Sequence, residues 1–221
     1  DAITRQLHAQ GAFGATVLES VGMVLEGGSI ETDGEGTLLT TISCQLSPQR
    51  NPDYDCIGLE ARFGDLFGTE RTLWLEHGRL AGDDTDGHID TLARFCDPHT
   101  IAHVTCDDPD DEHFQPLQAM ADQLAGFRDR DGAPYRLVPL PLPAPSYDPE
   151  GRRLPATYAN FIIINGAVLV PTYHDAMDGV ACERLAEAFP GREVVAVDAR
   201  PLIAQNGSLH CVTMQLPAAV P

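Results

Sequence analysis

Three side chains of this sequence have the types needed for nucleophilic chemistry, although they lie far apart along the chain. In "DDTDGHIDTLARF", His88 and Asp90 are separated by one residue. On an extended strand alternate residues share a face, so a base and an acid would point the same way. Gly87 beside them leaves room for a ligand or another backbone to approach, and Asp83, Asp84 and Asp86 make that approach acidic. Such a face suits a cation that needs a proton moved. The same residues also read as a solvated acidic loop that happens to contain a histidine. "NGSLHCVTMQL" adds a thiol. Read as a strand, it puts Leu209, Cys211 and Thr213 on one face and His210 on the other. A single strand cysteine is more often a small buried hydrophobe than a nucleophile. This one follows an Asn-Gly turn, near a strand end where sites open. A thiol with a distant His and Asp is also the usual make-up of a cysteine nucleophile with its base and orienting acid. Zinc held by His88, Asp90 and Cys211 is a further reading, without the paired-ligand spacing such sites show.

Composition narrows the partners. Thirty-three acids against 14 bases give a formal charge of −19 over 221 residues. This excludes a phosphate-binding footprint and hence nucleic acid. It suits a small cationic substrate, and equally a surface that merely resists aggregation. The six cysteines contain no C-x-x-C pair, so neither a disulfide framework nor a zinc cluster is expected, and a reducing, cytoplasmic compartment is. No apolar run reaches the length of a membrane span, and no signal-peptide pattern opens the sequence. The first residue is Asp rather than Met, which suits a fragment.

The elements that must position these residues recur as strand, strand, helix, strand. Unit one, about 24–75, contains "VLEGGSIETDGEGTLLTTI", a helix with apolar spacing at Ile57, Leu59, Phe63 and Leu66, and the strand "RTLWLEHG". Unit two, about 86–141, runs "GHIDTLARF", a turn at Asp97-Pro98, and "TIAHVTC". A helix with a stripe of Phe114, Leu117, Ala121, Leu124 and Ala125 follows, with Pro116 in its first turn, and then "YRLVPLPLP". Unit three, about 158–198, is a hairpin at Asn165-Gly166, a helix over about 176–189, and "EVVAVDA". Half units flank these at 1–18 and 206–217, all within one partial catalytic domain over 1–221. The Pro-rich stretch 139–157 is too long for an ordinary connection and reads as a lid or a passive surface loop.

The blocks "EGGSIETDGEGTLLTT", "RNP", "WLEHGRLAGDDTDGHIDTLARF", "YANFIIINGAVLVP" and "NGSLHCVTMQLPA", in this order from about Val24 onward, resemble the agmatine deiminases and related bacterial (Porphyromonas-type) peptidyl-arginine deiminases. That resemblance implies an α/β fold, a pentein-type propeller of five ββαβ units, of which about three whole units and two halves are present. It implies Cys211 as nucleophile, His88 as general acid and base, and Asp90 as a carboxylate clamping a guanidinium. Glu26 of "EGG" would line the site. Asp84 stands where the family more often has Glu, and Glu31 where His is commoner. No metal or cofactor is implied. The expected reaction is agmatine plus water to N-carbamoylputrescine and ammonia, through a covalent thiouronium on Cys211. Free or peptidyl arginine is the alternative substrate, and an amidino transferase a more distant one. A substrate carboxylate would want an arginine, for which Arg94, Arg152 and Arg153 are the candidates. The family also carries an upstream "W-x-R-D-x-G-P" segment with a further guanidinium-binding Asp, absent here. The chain is therefore expected to be a fragment, a silent guanidine-binding module, or a piece completed by a second copy or by the missing N-terminal units.

Overall fold

The computed structural model describes residues 2–216. After helix α1 (Ala2–Ala9), three ββαβ units follow in order. The first comprises β1 (Ile30–Thr32), β2 (Thr37–Thr41), the short α2 (Ile42–Gln45), α3 (Cys56–Phe67) and β3 (Arg71–Leu75). The second comprises β4 (Ala93–Asp97), β5 (Thr100–Val104), α4 (Phe114–Gly126) and β6 (Arg136–Leu140). The third comprises β7 (Ile162–Ile164), β8 (Ala167–Thr172), α5 (Met177–Ala188) and β9 (Glu193–Asp198), with the short α6 (Arg200–Ile203) behind it. Each unit makes its own three-stranded sheet. Its middle strand runs antiparallel to the first and parallel to the third, as in Ile30 opposite Thr40 and Thr37 opposite Arg71.

Local chemistry accounts for these elements. The middle strands β2 and β5 are buried along their whole length, because each has a neighbour on both edges and cores on both faces. Asp55 caps α3 by accepting from the Gly58 N–H, and Gly68 ends it in the left-handed conformation. Asn165-Gly166 is the two-residue loop between paired Ile164 and Ala167, with the positive φ falling on Gly166. A small core of Leu38, Leu59 and Phe63 lies inside the first unit, and the two larger cores join neighbouring units. Leu39 and Leu75 of the first unit pack with Ile89, Leu92, Ile101, Leu117, Met120 and Leu124 of the second. Val138 and Leu140 of the second pack with Phe161, Val168, Ala181 and Leu185 of the third. Truncating one of these leucines to alanine costs about 2–5 kcal/mol.

Several expected elements differ. Ile57 is 76% exposed and Leu66 37%, so α3 buries only Leu59 and Phe63 of its apolar stripe. In α4 the buried set is Leu117, Met120 and Leu124. "GHIDTLARF" is not one strand: Ile89–Thr91 forms a 3-10 turn and β4 begins at Ala93. The Thr91 N–H donates to the His88 carbonyl and the Leu92 N–H to that of Ile89, so these groups close on themselves. Neither "ATVLES" nor 206–216 forms a strand among the described residues. His210–Val212 is another 3-10 turn. With no neighbouring edge to pair with, a lone strand would leave its backbone groups unsatisfied. The three sheets do not close into a ring. The Pro-rich stretch is ordered around Asp148, with a bridge between Tyr147 and Arg153.

Candidate active site

Asp90 and Cys211, 121 residues apart, meet at a cleft of roughly 570 Å³ that also takes in Glu26, Gly28, Asp84, His88 and His210. Asp90 is fully buried. Its Oδ2 accepts from His210 Nδ1 at 2.8 Å and lies 3.7 Å from Cys211 Sγ. Its Oδ1 is buried with no hydrogen-bond partner among the described residues. His210 therefore faces Asp90, contrary to the strand alternation, because the 3-10 turn replaces a period of two. Nor are both oxygens of Asp90 open for a bidentate clamp, since His210 holds one.

His88 is buried, and its Nε2 lies 3.4 Å from Glu26 Oε2. The same Glu26 oxygen accepts from Arg50 Nε at 2.6 Å. Burial would raise the Glu26 carboxyl, but the Arg50 hydrogen bond and charge, with His88 adding, outweigh it and hold the group below its ordinary range. Arg50 continues to Asp86 at 2.7 Å and to the Thr85 carbonyl at 3.0 Å. Asn51 pins Val24 through both backbone groups, at 3.0 and 2.8 Å. "RNP" is thus the scaffold of "EGG".

The turn before His88 is closed by its own acids. Asp83 accepts from the Gly87 N–H at 2.7 Å and from the Thr85 N–H and hydroxyl, and Thr85 Oγ1 accepts from the His88 N–H at 3.1 Å. Asp84 remains exposed and lines the cleft. Gly87 does not line it. Its φ of 88° and the approach of Ser43 Oγ, 3.0 Å from where a Cβ would sit, make it a backbone requirement of the turn. It borders instead a cavity of roughly 610 Å³ on the other side of this loop, which contains none of Cys211, His88 and Asp90. The glycine that admits close approach is Gly28, where a Cβ would stand 2.7 Å from both His88 Nδ1 and Asp90 Oδ2. The Gly-Gly doublet of "EGG" was its only signal in the sequence.

Cys211 is the exposed one of the six free cysteines. Cys44 and Cys96 are pushed up to about 12 by burial, which makes them poor nucleophiles. Packing on one side and the charge of Asp90 raise the Cys211 thiol as well. A cation bound against Asp90 would offset that charge. The zinc reading of His88, Asp90 and Cys211 gains no support. Near the cleft, the possible ligand atoms that lie within 4.8 Å of one another belong to Glu26, Cys44 and His88, where Arg50 already occupies the carboxylate.

None of the described residues lining the cleft is Lys or Arg. Arg94 is 3% exposed and bound to Glu31 at 2.5 Å. Arg152 pairs with Asp148, and Arg153 binds both oxygens of Asp111 at 2.9 and 2.7 Å. All three candidates for a carboxylate partner are engaged elsewhere.

Residues 1–217 match the family model of the Porphyromonas-type peptidyl-arginine deiminases; the chain belongs to that family. An agmatine deiminase of Pseudomonas fluorescens is 37% identical over 214 residues, covering 89% of this chain and 58% of the relative. The chain spans about three fifths of the length of the curated relatives it matches. A Porphyromonas gingivalis protein, described as a candidate arginine deiminase, superposes with a TM-score of 0.94 at 55% identity, over 99% of this chain and 65% of that one. A C. jejuni agmatine deiminase, solved as a cysteine-to-serine variant with substrate bound, gives 0.88 at 44% identity over 95% and 60%. A dimethylarginine dimethylaminohydrolase, at 14% identity and a TM-score of 0.51, shares the mixed α/β pentein fold alone.

Proposed function

We propose that this chain carries the nucleophile, acid–base and one carboxylate of a guanidine deiminase, with agmatine as substrate. The observation that carries the reading is a fully buried Asp90 whose Oδ1 has no hydrogen-bond partner among the described residues, beside the exposed thiol of Cys211. A buried carboxylate oxygen without a donor is costly, and a guanidinium N–H supplies one.

The guanidinium carbon is deactivated by resonance, so water attacks it poorly and a thiolate is needed. Cys211 Sγ adds to that carbon. His88 gives a proton to one nitrogen, the C–N bond breaks and ammonia leaves, which gives the thiouronium. His88 then takes a proton from water as the water oxygen adds; the C–S bond breaks as the C=O bond forms and the remaining hydroxyl proton passes to solvent, releasing the ureido product and the thiolate. Glu26 holds His88 from the far side, and Arg50 holds Glu26.

Agmatine is preferred over arginine because the cleft contributes Glu26, Asp84 and Asp90 and, among the described residues, no Lys or Arg. An amine at the far end of the substrate gains from Asp84, whereas a carboxylate there is repelled. The agmatine deiminase names of relatives accord with this, while the family description favours peptidyl arginine. The residues that relatives have beyond this span leave a second reading, a guanidine-binding piece without turnover of its own.

Ammonia and ureido product from agmatine, arginine and a blocked arginine peptide would decide, with Cys211→Ala alongside. Turnover of agmatine, lost by at least about 10³-fold in Cys211→Ala, is expected. Residual turnover near wild type in that variant would sink the nucleophile. A folded but inactive chain would favour the binding piece.

A further inference from the structure

His113 stands just ahead of α4, is 4% exposed, and has both ring nitrogens engaged. Nδ1 lies 2.8 Å from Asp111 Oδ1, and Nε2 lies 2.8 Å from the backbone nitrogen of Ala81. A backbone N–H can only donate, so Nε2 holds a lone pair and the ring proton sits on Nδ1, facing the carboxylate. The bond to Ala81 therefore exists only for the neutral imidazole. A second proton, on Nε2, would set one N–H against another at hydrogen-bond distance, and the contact must open.

Ala81 stands where that opening matters. Asp84, which lines the Cys211 cleft, belongs to a turn closed by Asp83 and hung between two attachments. At the far end Thr41 donates to the Gly87 carbonyl at 2.6 Å and Arg50 to the Thr85 carbonyl at 3.0 Å. At the near end Leu80 packs in the core and Ala81 donates to His113. Among the described residues, this is the one hydrogen bond that joins 77–82 to another element. Freeing that attachment lets the turn pivot on the other.

The surroundings of the ring set when this happens. Asp111 and Glu112 face it from its own segment, and Arg153 from the Pro-rich stretch. Glu76, His77, Arg79, Asp83 and Asp86 border with it the cavity of roughly 610 Å³, through which water reaches the ring. In α4 the first acid is Asp122. Burial, and then the Arg153 charge, hold the ring below its ordinary 6.5 against the pull of the two neighbouring acids. The neutral, bonded form is thus kept at neutral pH and lost as pH falls through that lowered value.

We propose that His113 is a positioning residue for the turn that carries Asp84, holding it at the cleft while the ring is neutral and releasing it in acid. Acid thereby weakens the binding of a cationic substrate. That consequence rests on the reading of Asp84 as partner of the substrate's far amine; the release itself does not.

Hydrogen–deuterium exchange of the segment 78–84, corrected for the intrinsic pH dependence of exchange, reads the release without substrate. Protection in wild type should fall at least about tenfold from about pH 7.5 to about pH 5, while that of β5 stays unchanged. His113→Gln keeps an acceptor toward Ala81 and takes up no proton, so its protection should stay high at both values. His113→Ala removes the acceptor and should leave the segment unprotected at both. On agmatine at about pH 7.5, His113→Ala should raise KM about three- to tenfold with kcat within about twofold, and His113→Gln should restore it. Wild-type protection that changes by less than about twofold overturns the proposal, and wild type alone supplies that curve should a variant fold poorly. Release seen by exchange, with KM unmoved in His113→Ala, overturns the link to substrate. The exchange arm needs no turnover, so it stands apart from the Cys211→Ala assay on which the deiminase reading depends.

Discussion

The two walls of the cleft are built to different standards. On one side, residues 83–92 are held by Asp83, Thr85 and the carbonyls of His88 and Ile89. Behind them Ile89 and Leu92 are fully buried in the core shared by the first two units. On the other side, residues 211–216 are exposed; hydrogen bonds at the Asn160 amide, at the His210 ring and from Gln215 Nε2 to the Ile163 carbonyl hold them, behind the buried Ser208 and Leu209. The carboxylate is thus fixed by a core, and the thiol by a few hydrogen bonds. A buried carboxylate must be rigid to remain without a partner until substrate arrives. Under the proposed function, a thiol that attacks, carries an adduct and then releases it has use for a less constrained backbone.

That contrast can be broken most severely at Asp90. Asp90→Asn keeps the shape and removes the charge opposite the guanidinium, so kcat/KM should fall by about 10²–10³-fold, read from initial rates on agmatine. The same variant should ease ionisation of Cys211 in the empty cleft, because Asp90 is among the groups that raise it. Unchanged kcat/KM would show that the guanidinium binds elsewhere. A smaller effect is expected on the same wall at Gly28. Gly28→Ala places a methyl 2.7 Å from His88 and Asp90, and overpacking of about 1–3 kcal/mol should cut turnover about 10- to 100-fold while the fold survives. Full activity in that variant would mean that the wall yields.

The smallest effect sharpens the comparison from outside. The Pro-rich stretch contributes no residue to the described lining of the Cys211 cleft. Its Arg153 holds Asp111, Asp111 holds His113 Nδ1, and His113 Nε2 accepts from the Ala81 N–H at 2.8 Å. Its backbone also presses on Gly82, where a Cβ would collide with the Arg153 carbonyl. The stretch braces the loop that carries Asp84. The Arg153 hydrogen bond leads the causes that hold the Asp111 carboxyl at about 2, against an ordinary 3.8. A depressed folded value stabilises above pH 3.8 and loses that contribution as pH falls toward 2. Arg153→Ala should therefore cost about 1 kcal/mol at pH 7 in urea unfolding, after allowing for solvent screening. The gap to wild type should close between pH 4 and 2. A gap independent of pH would mean that the arginine acts by packing.

Much of this was legible before any coordinates. Pro116 inside the first turn of α4, the Asn165-Gly166 hairpin and the order of strands and helices follow from local propensity and periodicity, which neighbours in sequence enforce. The spacing of His88 and Asp90 and the placing of Cys211 after Asn-Gly marked these three residues as candidates, and the structure brings them to one cleft. The error lay in extending a strand over Ile89–Thr91 and His210–Val212, because a period of two assumes a partner edge that neither turn has among the described residues.

Residue types and local order were set by the sequence: the acidic balance, the thiol, the base and carboxylate, and the ββαβ unit. Tertiary structure alone decided which oxygen of Asp90 is free, which way His210 turns, that Gly28 rather than Gly87 admits close approach, and that Asn160 joins the two turns. These depend on distances between segments 50 to 121 residues apart. Such distances are fixed by how the inter-unit cores pack, and no local pattern in the chain encodes them.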